Sequence, residues 1–513
     1  MDYDVVVAGA GPVGLLLACE LGLAGVRTVV LEKLSDPNLP TRAAGLGGRG
    51  FNMASMEAFY RRGLMEELRN SAEIWFGRHE EDPSGKQPAS GAPFRFAGHF
   101  AGIMLNGALI DYGDPEFHEK GPAAAGCFID LVSLEKVLAR RAGELGVSIR
   151  RGVSVTGFSQ SDDTVTIHTS AGTVRASWLI GCDGGRSTVR KMAGFAFPGT
   201  PPEITAYAAI VEIGDPGVLK PGWNRTPAGV YVLGPGPNRM LVVEFKGPPA
   251  DRDAPVTAEE LQASLRHVSG TDVNIASVFA ATRFTDNARQ AASYRRGRAL
   301  LAGDAAHVHS PFGGQGMNLG LGDAMNLGWK LASVIKGWTS EELLETYTAE
   351  RHPIGAWALE WTRAQIALMR PEPHARAMGE ITRDLIETRA GATYFAKRIA
   401  GVWQRYDLGP GHPLVGRSAP DLAFQDGTRL GTYLQAGRAV LFRFGDPPNC
   451  RVVEENERFR VVHAECVELP PVRTLFVRPD GYIAWAGDGD QEGLAKASQK
   501  WLGVAAELAV CLG

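Results

Sequence analysis

The first residues of the chain carry a glycine pattern that could bind a dinucleotide. A short β-branched run, DVVVAG at residues 4–9, leads into Gly9, Gly11 and Gly14, and a second apolar run ends at Glu32. Gly9 would allow a tight turn, Gly11 would let backbone N–H groups approach a pyrophosphate, and Gly14 would let a helix pack closely on the strand. A terminal carboxylate can accept from ribose hydroxyls and repels the 2′-phosphate of NADP. The spacing therefore predicts a pocket for NAD or FAD.

Two later glycine–aspartate turns favour FAD. In WLIGCDGGRSTVRK (178–191) a strand leads into Asp183. In RALLAGDAAHVHSPFGGQGMNLGLGDAMNLGWKLA (298–332) a strand delivers Asp304 to a Gly-rich loop, and a long helix is predicted to begin near Met317. Asp304 could accept from a ribityl hydroxyl, and the amides that open the helix could face the electron-rich edge of a flavin.

Both strands and helices are needed to position these turns, which predicts an α/β protein. The segments, in chain order, are a strand–helix–strand unit in 4–32, an exposed loop at 78–93, a β-meander in 147–176, strands in 203–245, a helix over 257–268 capped by Thr257, a helical stretch over 341–382 bent at Pro353, and a linker at 407–420.

Composition narrows the class of protein. The length of 513 residues predicts two to four domains, and a net charge of -4 offers no basic surface for nucleic acid or membrane. The N-terminal residues are not typical of a secretory signal and no transmembrane helix is expected, which predicts a cytoplasmic protein. The six cysteines show no C-x-x-C spacing, so reduced structural thiols are expected.

The three motif segments resemble the GxGxxG, DG and GD motifs of class A flavoprotein monooxygenases, the aromatic hydroxylases similar to p-hydroxybenzoate hydroxylase. The resemblance covers residues 1–50, 178–195 and 295–350. Residues 410–490 resemble the thioredoxin-like C-terminal domain of a subset that includes phenol hydroxylase relatives and hydroxylases that tailor aromatic polyketides. The chain length favours the polyketide group.

The resemblance implies a Rossmann-like, GR2-type FAD-binding domain, an inserted β-sheet substrate domain and a thioredoxin-like C-terminal domain. The implied boundaries are 1–185 for the first part of the FAD-binding domain, 186–290 for the substrate domain, 291–400 for the second FAD-binding part with long helices, and 401–513 for the C-terminal domain.

The same resemblance implies non-covalent FAD with NADPH or NADH as a transient co-substrate. Reduced flavin and dioxygen would form a C4a-hydroperoxide that hydroxylates a polycyclic aromatic, polyketide-type substrate. Baeyer–Villiger or epoxidising oxygenation, an oxygen-independent flavin oxidoreductase and a non-catalytic binding module stay open as alternatives. The expected partner is a small aromatic molecule, and the expected state is a monomer or homodimer.

Site residues carry over by motif. The expected cofactor-binding residues are Gly9, Gly11, Pro12, Val13, Gly14, Glu32 and Lys33 toward the ADP half, Arg42 near the pyrophosphate, Asp183, Gly184 and Arg186 toward FAD and the nicotinamide path, Asp304 toward the ribityl or pyrophosphate region, and Pro311, Gly314, Gly316, Met317 and Asn318 along the isoalloxazine. Pro311 and Gly314 are flavin-proximal, and no acid–base dyad is assigned. Two positions depart from the pattern: Ala54 stands where an Arg is common, with Arg49 as a candidate substitute, and Leu131 stands where a Gln is common.

Some residues allow both a structural and a functional interpretation. Tyr207, Trp223 and Tyr231 could stack on a polycyclic substrate, although core packing is at least as good an interpretation. His307 and His309 are expected to pack the loop rather than bind a metal, because no third ligand lies nearby in the sequence. Asp323 is expected on a helix surface or as an N-terminal partner.

Overall fold

The computed structural model describes residues 1–38, 42, 46, 48–71, 74–76, 96–118, 120–124, 126–234, 238–252, 254–445, 451–468 and 472–504. The loop predicted at 78–93 lies outside these ranges, as do Cys450 and Cys511.

The strands are β1 (Tyr3–Ala8), β2 (Thr28–Glu32), β3 (Gly48–Phe51), β4 (Ile74–Phe76), β5 (Phe96–Phe100), β6 (Ile103–Asn106), β7 (Gly126–Asp130), β8 (Ser148–Arg151), β9 (Val155–Gln160), β10 (Val165–Thr169), β11 (Gly172–Gly181), β12 (Gly199–Thr200), β13 (Thr205–Ile213), β14 (Gly222–Thr226), β15 (Gly229–Leu233), β16 (Arg239–Glu244), β17 (Ile275–Phe284), β18 (Ala288–Gln290), β19 (Arg295–Arg296), β20 (Ala299–Leu301), β21 (His307–Val308), β22 (Ala439–Phe444), β23 (Arg451–Glu455), β24 (Phe459–Ala464), β25 (Thr474–Val477) and β26 (Ile483–Gly487).

The α-helices are α1 (Pro12–Leu23), α2 (Met53–Tyr60), α3 (Met65–Ser71), α4 (Pro115–His118), α5 (Leu131–Glu144), α6 (Thr188–Met192), α7 (Ala258–Ser269), α8 (Gln315–Ile335), α9 (Glu345–Met369), α10 (Pro373–Ile386), α11 (Arg389–Ala400) and α12 (Gln491–Leu502).

The central sheet brings the three motif segments to one edge. Its order is β19-β20-β11-β1-β2-β8, with parallel pairing from β20 through to β8. Val5, Val6 and Val7 are fully buried, as expected for a parallel strand covered on both faces. Because β1, β11 and β20 run in the same direction, the turns that follow them lie side by side at their carboxyl ends, where ligands of open α/β sheets bind.

A second sheet, of order β14-β15-β16-β13-β17, separates two cores. Along β15, Val230 and Val232 belong to the core shared with β5, β6 and α9, whereas Tyr231 packs toward α7. This alternation follows from the period of two in a strand. The predicted strands are present, and the α7 prediction is confirmed, because Thr257 Oγ1 accepts from the backbone N of Glu260 at 3.1 Å.

The predicted helical stretch over 341–382 is helical except at residues 370–372. α9 contains Pro353 in its interior and continues to Met369, and α10 begins at Pro373. The stretch is interrupted at Arg370, which is extended, with φ -57 and ψ 147. Pro371 disfavours helical backbone at Arg370, and the extended Glu372 precedes Pro373 at the first position of α10.

The C-terminal sheet has the order β23-β24-β22-β25-β26, with a parallel β22–β24 pair and antiparallel neighbours. Buried charges join it to the rest of the chain. Arg62 Nε donates to Glu20 Oε1 at 2.5 Å, and its Nη1 donates to the Leu434 carbonyl at 2.9 Å. Arg478 donates to both Glu350 oxygens, at 2.9 and 2.8 Å.

The predicted α/β class with additional domains is confirmed by this architecture. Within the described ranges, every helix is too short or too polar to cross a lipid bilayer.

Candidate flavin-binding and active site

The N-terminal turn admits only glycine at two of its positions. Gly9 has φ +109, and a Cβ there would lie 2.3 Å from the Cys182 carbonyl oxygen. A Cβ on Gly14 would lie 2.1 Å from the Gly9 carbonyl oxygen. The first glycine thus allows the turn, and the second lets α1 rest on it.

Glu32 fixes the shape of this turn. Its Oε2 accepts from the Ala10 amide at 2.7 Å, and its Oε1 accepts from the Leu34 amide at 2.9 Å. Each oxygen keeps further acceptor capacity for a ribose hydroxyl. Lys33, beside it, is exposed.

Contacts between the motif segments bring all three together. A Cβ on Gly9 would lie 3.2 Å from Asp183 Cα, which joins the first segment to the second. A Cβ on Gly303 would lie 3.1 Å from Val13 Cγ2, which joins the third segment to α1.

Both long helices that open at this edge lack a side-chain cap. Gly11 precedes α1, with Pro12 at the first turn, and Gly314 precedes α8 with φ 64. Neither helix has an acidic residue in its first turn. The free first-turn amides and the helix dipoles give this edge positive potential, which suits a pyrophosphate and a flavin that becomes anionic on reduction.

Asp183 forms one side of the cleft. Its Oδ2 accepts from the Thr188 and Val189 amides at 2.7 and 3.1 Å, which orients the carboxylate and starts α6. Its Oδ1 is buried and has no hydrogen-bond partner among the described residues. Gly184 follows with φ +78, and Arg186 is exposed.

Asp304 is exposed at the end of β20. A Cβ on Gly316 would lie 3.9 Å from Asp304 Oδ1 and 3.5 Å from His309 Nε2, so the GD turn and the start of α8 are adjacent. His309 Nδ1 lies 2.8 Å from the Ser310 carbonyl, and its buried Nε2 has no partner in the described ranges. Burial lowers the pKa of His309, which favours a neutral imidazole with Nε2 as an acceptor.

The predicted isoalloxazine residues differ in what they present. Pro311 and Gly314 are exposed, and Met317 is half-buried. The Asn318 amide is committed to the protein: Oδ1 accepts from the Asn52 amide at 3.0 Å and Ser55 Oγ at 2.6 Å. Its Nδ2 donates to the carbonyls of residues 50 and 314 at 3.0 and 2.7 Å. Asn318 therefore holds the loop, and any contact with a flavin would come from its backbone.

Glu135 is a site residue that sequence reasoning missed. It forms an ion pair with Arg42, is almost fully buried, and its Oε1 is the nearest atom to a Cβ built on Gly11, at 4.0 Å. Burial raises the pKa of Glu135 to about 7, against the opposing effects of the Arg42 and Arg151 guanidiniums. The sequence feature that could have revealed Glu135 is its acidic side chain in the first turn and a half of the helix that begins at Leu131.

The two departures from the family pattern have structural counterparts. Leu131 starts α5, and the preceding Asp130 caps it by accepting from the Ser133 amide at 2.9 Å. Ala54 lies in α2. Arg49 donates to the carbonyls of residues 46 and 48, both at 2.9 Å, and Asp304 is among the charges that act on it.

The expectation that Asp323 lies on a helix surface is wrong. Asp323 is fully buried. Its Oδ2 lies 2.7 Å from His307 Nε2 and accepts from the Gly303 amide at 3.0 Å. Its Oδ1 accepts from Arg351 Nε at 2.8 Å. A buried charge must be paired and hydrogen-bonded, and here the pairing also fixes the residue that precedes Asp304. His307 thus packs the loop, and no group of three or more potential metal ligands occurs in the described ranges.

Of the three substrate candidates, Trp223 is the one whose ring contacts the loop that leads into α8. Its ring lies 4.8 Å from His99 and 6.1 Å from Phe312, centroid to centroid. Tyr207 and Tyr231 pack toward α7 on the opposite face of the sheet, in line with the core-packing interpretation rather than the substrate interpretation, and Tyr207 donates to Glu260 Oε1 at 2.7 Å.

The residues of this cleft fit FAD. Glycine turns that approach closely, a carboxylate at the end of β2, two uncapped helix starts and unpartnered buried acceptors at Asp183 and His309 match a ligand that carries ribose hydroxyls, a pyrophosphate and a ring with N–H donors. Fold and cleft together define a Rossmann-like flavoprotein.

Comparison with known proteins identifies the family. A family model described as an FAD binding domain matches residues 2–362, and one described as the C-terminal domain of aromatic-ring hydroxylases matches residues 412–505. The chain belongs to the class A FAD-dependent monooxygenases, and FAD is its cofactor.

Individual relatives are similar over nearly their whole length. A 12-dehydrotetracycline 5-monooxygenase/anhydrotetracycline 6-monooxygenase of Streptomyces rimosus is 40% identical, with 98% of this chain and 99% of the relative covered. A dialkyldecalin synthase of Streptomyces rugosporus is 35% identical, with 99% and 100% covered. The solved structure of an anhydrotetracycline hydroxylase from Streptomyces rimosus superposes with a TM-score of 0.82 at 36% identity, with 98% of this chain and 100% of that chain covered.

Proposed function

We propose that this monooxygenase hydroxylates a polycyclic aromatic small molecule with NAD(P)H and dioxygen, and that the motif residues named above hold its FAD. The single observation that carries the proposal is the convergence of the three motif turns at one sheet edge, where Gly9 adjoins Asp183 and Gly303 adjoins Val13. We also propose the division into domains at residues 185, 290 and 400.

Bound FAD, once reduced by a nicotinamide, supplies the chemistry that activates dioxygen. The protein groups hold and orient. Glu32 would bind the adenosine ribose, the first-turn amides of α1 would bind the pyrophosphate, and Asp304 would accept from the ribityl chain. The uncapped start of α8 would stabilise negative charge on the reduced ring.

An aromatic wall lies beside the loop that leads into α8, which supports a flat substrate. Trp223 and Phe284 lie 6.1 and 6.0 Å from Phe312, centroid to centroid, and His99 adjoins Trp223. Burial lowers the pKa of His99 to about 4, so its imidazole is neutral near pH 7. Such a wall would bind a polycyclic ring by stacking and by burial of apolar area.

The test begins with purified protein. A yellow preparation with flavin absorption is expected, together with NADPH or NADH oxidation that is stimulated by polycyclic phenols. Under ¹⁸O₂ the product should gain one labelled oxygen, and its position distinguishes ring hydroxylation from Baeyer–Villiger insertion or epoxidation. A colourless protein that takes up no FAD would refute the proposal.

A non-oxidative conversion is a second candidate function. One relative is a dialkyldecalin synthase, and one fold can host several chemistries. Conversion of a substrate without consumption of NAD(P)H and without ¹⁸O in the product would favour that alternative. Oxidation under anaerobic conditions with an artificial electron acceptor would instead indicate an oxygen-independent oxidoreductase.

A further inference from the structure

The loop that leads into α8 is held from behind by one buried amide. Gln365 of α9 is fully buried, and its Nε2 donates to the Phe312 carbonyl at 3.2 Å. Its Oε1 accepts from the Ala101 amide at 3.0 Å. A Cβ on Gly313 would lie 2.8 Å from Gln365 Nε2, so the amide is packed directly against the loop. The oxygen and the nitrogen of this one amide are thus bonded to different segments of backbone.

Ala101 is the turn between β5 and β6 and is itself restrained. It has φ 51, uncommon for a residue other than glycine, and it is fully buried. Its carbonyl accepts from Arg225 Nη2 at 2.7 Å, and Arg225 belongs to β14 of the substrate sheet. A strained backbone conformation persists only when its neighbours hold it in place. The two hydrogen bonds on either side of Ala101 supply that restraint.

The same turn supports the aromatic wall. A Cβ on Gly102 would lie 2.6 Å from Trp223 Cε3, so the turn is in direct contact with the Trp223 ring of the aromatic wall. A chain of hydrogen bonds therefore runs from Arg225 of the substrate sheet, through Ala101 and Gln365, to Phe312 in the loop at the start of α8.

We propose that Gln365 is a positioning residue that fixes the loop at Phe312 and Gly313 against the Trp223 wall, and so sets the distance between flavin ring and substrate. The proposal rests on the proposed function. Gln365 lies behind the loop and acts through the Phe312 carbonyl. A buried amide bonded at both ends is suited to this role, because loss of either bond leaves a buried donor or acceptor unpaired.

The test compares two buried glutamines. Gln365→Met keeps the size of the side chain and removes both bonds. Gln290→Met is the matched control, because Gln290 is also buried and its amide donates to the Tyr294 hydroxyl at 2.6 Å and the His352 carbonyl at 2.9 Å, both outside residues 309–314. Apoprotein is titrated with FAD, flavin fluorescence gives the dissociation constant, and the visible spectrum of bound FAD is recorded.

We expect Gln365→Met to weaken FAD binding about tenfold and to shift the flavin absorption bands, whereas Gln290→Met should change neither. Gln365→Asn covers the case in which the Met variant does not fold. It keeps an amide that is one methylene shorter and reaches at most one of the two backbone partners, so its effect on FAD should be intermediate between wild type and the full loss.

Equal FAD affinity and equal spectra for the Gln365 variants and the Gln290 control would overturn the positioning role. The wild-type titration separates this failure from that of the proposed function. Wild-type protein that binds no FAD contradicts the proposed function, whereas wild type that binds FAD just as its Gln365 variants do contradicts only the inference.

Discussion

Buried carboxylates are paired in one polar region of this molecule and are left partly without partners in another. At the junction with the C-terminal sheet, Glu350 accepts from Arg478 through both oxygens and also contacts Lys330 Nζ at 3.0 Å. In the cleft at the carboxyl edge of the central sheet, Asp183 Oδ1 and Glu135 Oε2 are buried without a partner among the described residues.

The difference distinguishes groups that hold the fold from groups that receive a ligand. Unpaired buried acceptors cost free energy and persist where function requires them. Substitutions at the junction should therefore lower the stability of the FAD-free protein, and substitutions in the cleft should change FAD binding or the dependence of stability on pH.

The largest effect is expected from Arg478→Met. It leaves the carboxylates of Glu350 and Asp480 buried without their shared cation, so the free energy of unfolding should fall by about 3–5 kcal/mol. Urea denaturation of the FAD-free protein measures this. Arg473→Met, at an exposed position just before β25, is the control and should change little. A fall of similar size in both variants would remove the distinction between the two regions.

Glu135→Gln should change how stability varies with pH. The pKa of Glu135 is raised to about 7, so the folded protein keeps a proton that the unfolded chain releases. Wild-type stability should then fall as pH rises from about 4.5 to 7, by on the order of 2–3 kcal/mol, and the Gln variant should lose this dependence. Urea titrations of FAD-free protein at pH 5 and pH 8 measure it, and parallel curves for both proteins would contradict it.

Asp304→Ala should affect the ligand and not the fold. Asp304 is exposed, so its removal should leave the melting temperature of FAD-free protein unchanged, while the FAD dissociation constant rises about tenfold for the lost hydrogen bond. Asp162→Ala, at another exposed position, provides the comparison. Unchanged FAD affinity in fluorescence titrations would exclude Asp304 from the site.

The smallest effects should separate the two faces of the substrate sheet. Tyr207→Phe loses one hydrogen bond to Glu260 and should cost about 1 kcal/mol of stability with an unchanged KM. Trp223→Phe should raise the KM for a polycyclic phenol and leave stability nearly intact. Steady-state kinetics and thermal melts of both variants are the measurement, and a reversed pattern would mean that the faces are assigned wrongly.

Sequence reasoning found local features and missed distant pairings. The roles of Gly9, Gly14 and the Thr257 cap are encoded within a few residues, so the sequence predicts them. Glu135 was missed because its burial depends on Arg42, 93 positions away. Asp323 was misplaced because α8 is buried on nearly every side, and its cation comes from position 351.

The substrate sheet shows the same limit. Alternation along β15 predicts that Tyr231 and its neighbours point to opposite faces. It does not say which face meets α7 and which meets the aromatic wall, because that depends on packing between distant elements. Trp223 and Tyr207 could be ranked only once the sheet was placed.

Arg351 connects the flavin motif to the far end of the protein. Besides Asp323, it donates to the Tyr406 hydroxyl at 3.2 Å, and the Tyr406 ring stacks on Tyr482 at 4.0 Å. A shortened enzyme ending near residue 411 would lose Tyr482 and expose the Tyr406 ring to water, so one of the groups that hold the Arg351 guanidinium would itself lose its packing. Attempts to make a minimal catalyst by trimming this protein should therefore stop short of its last domain.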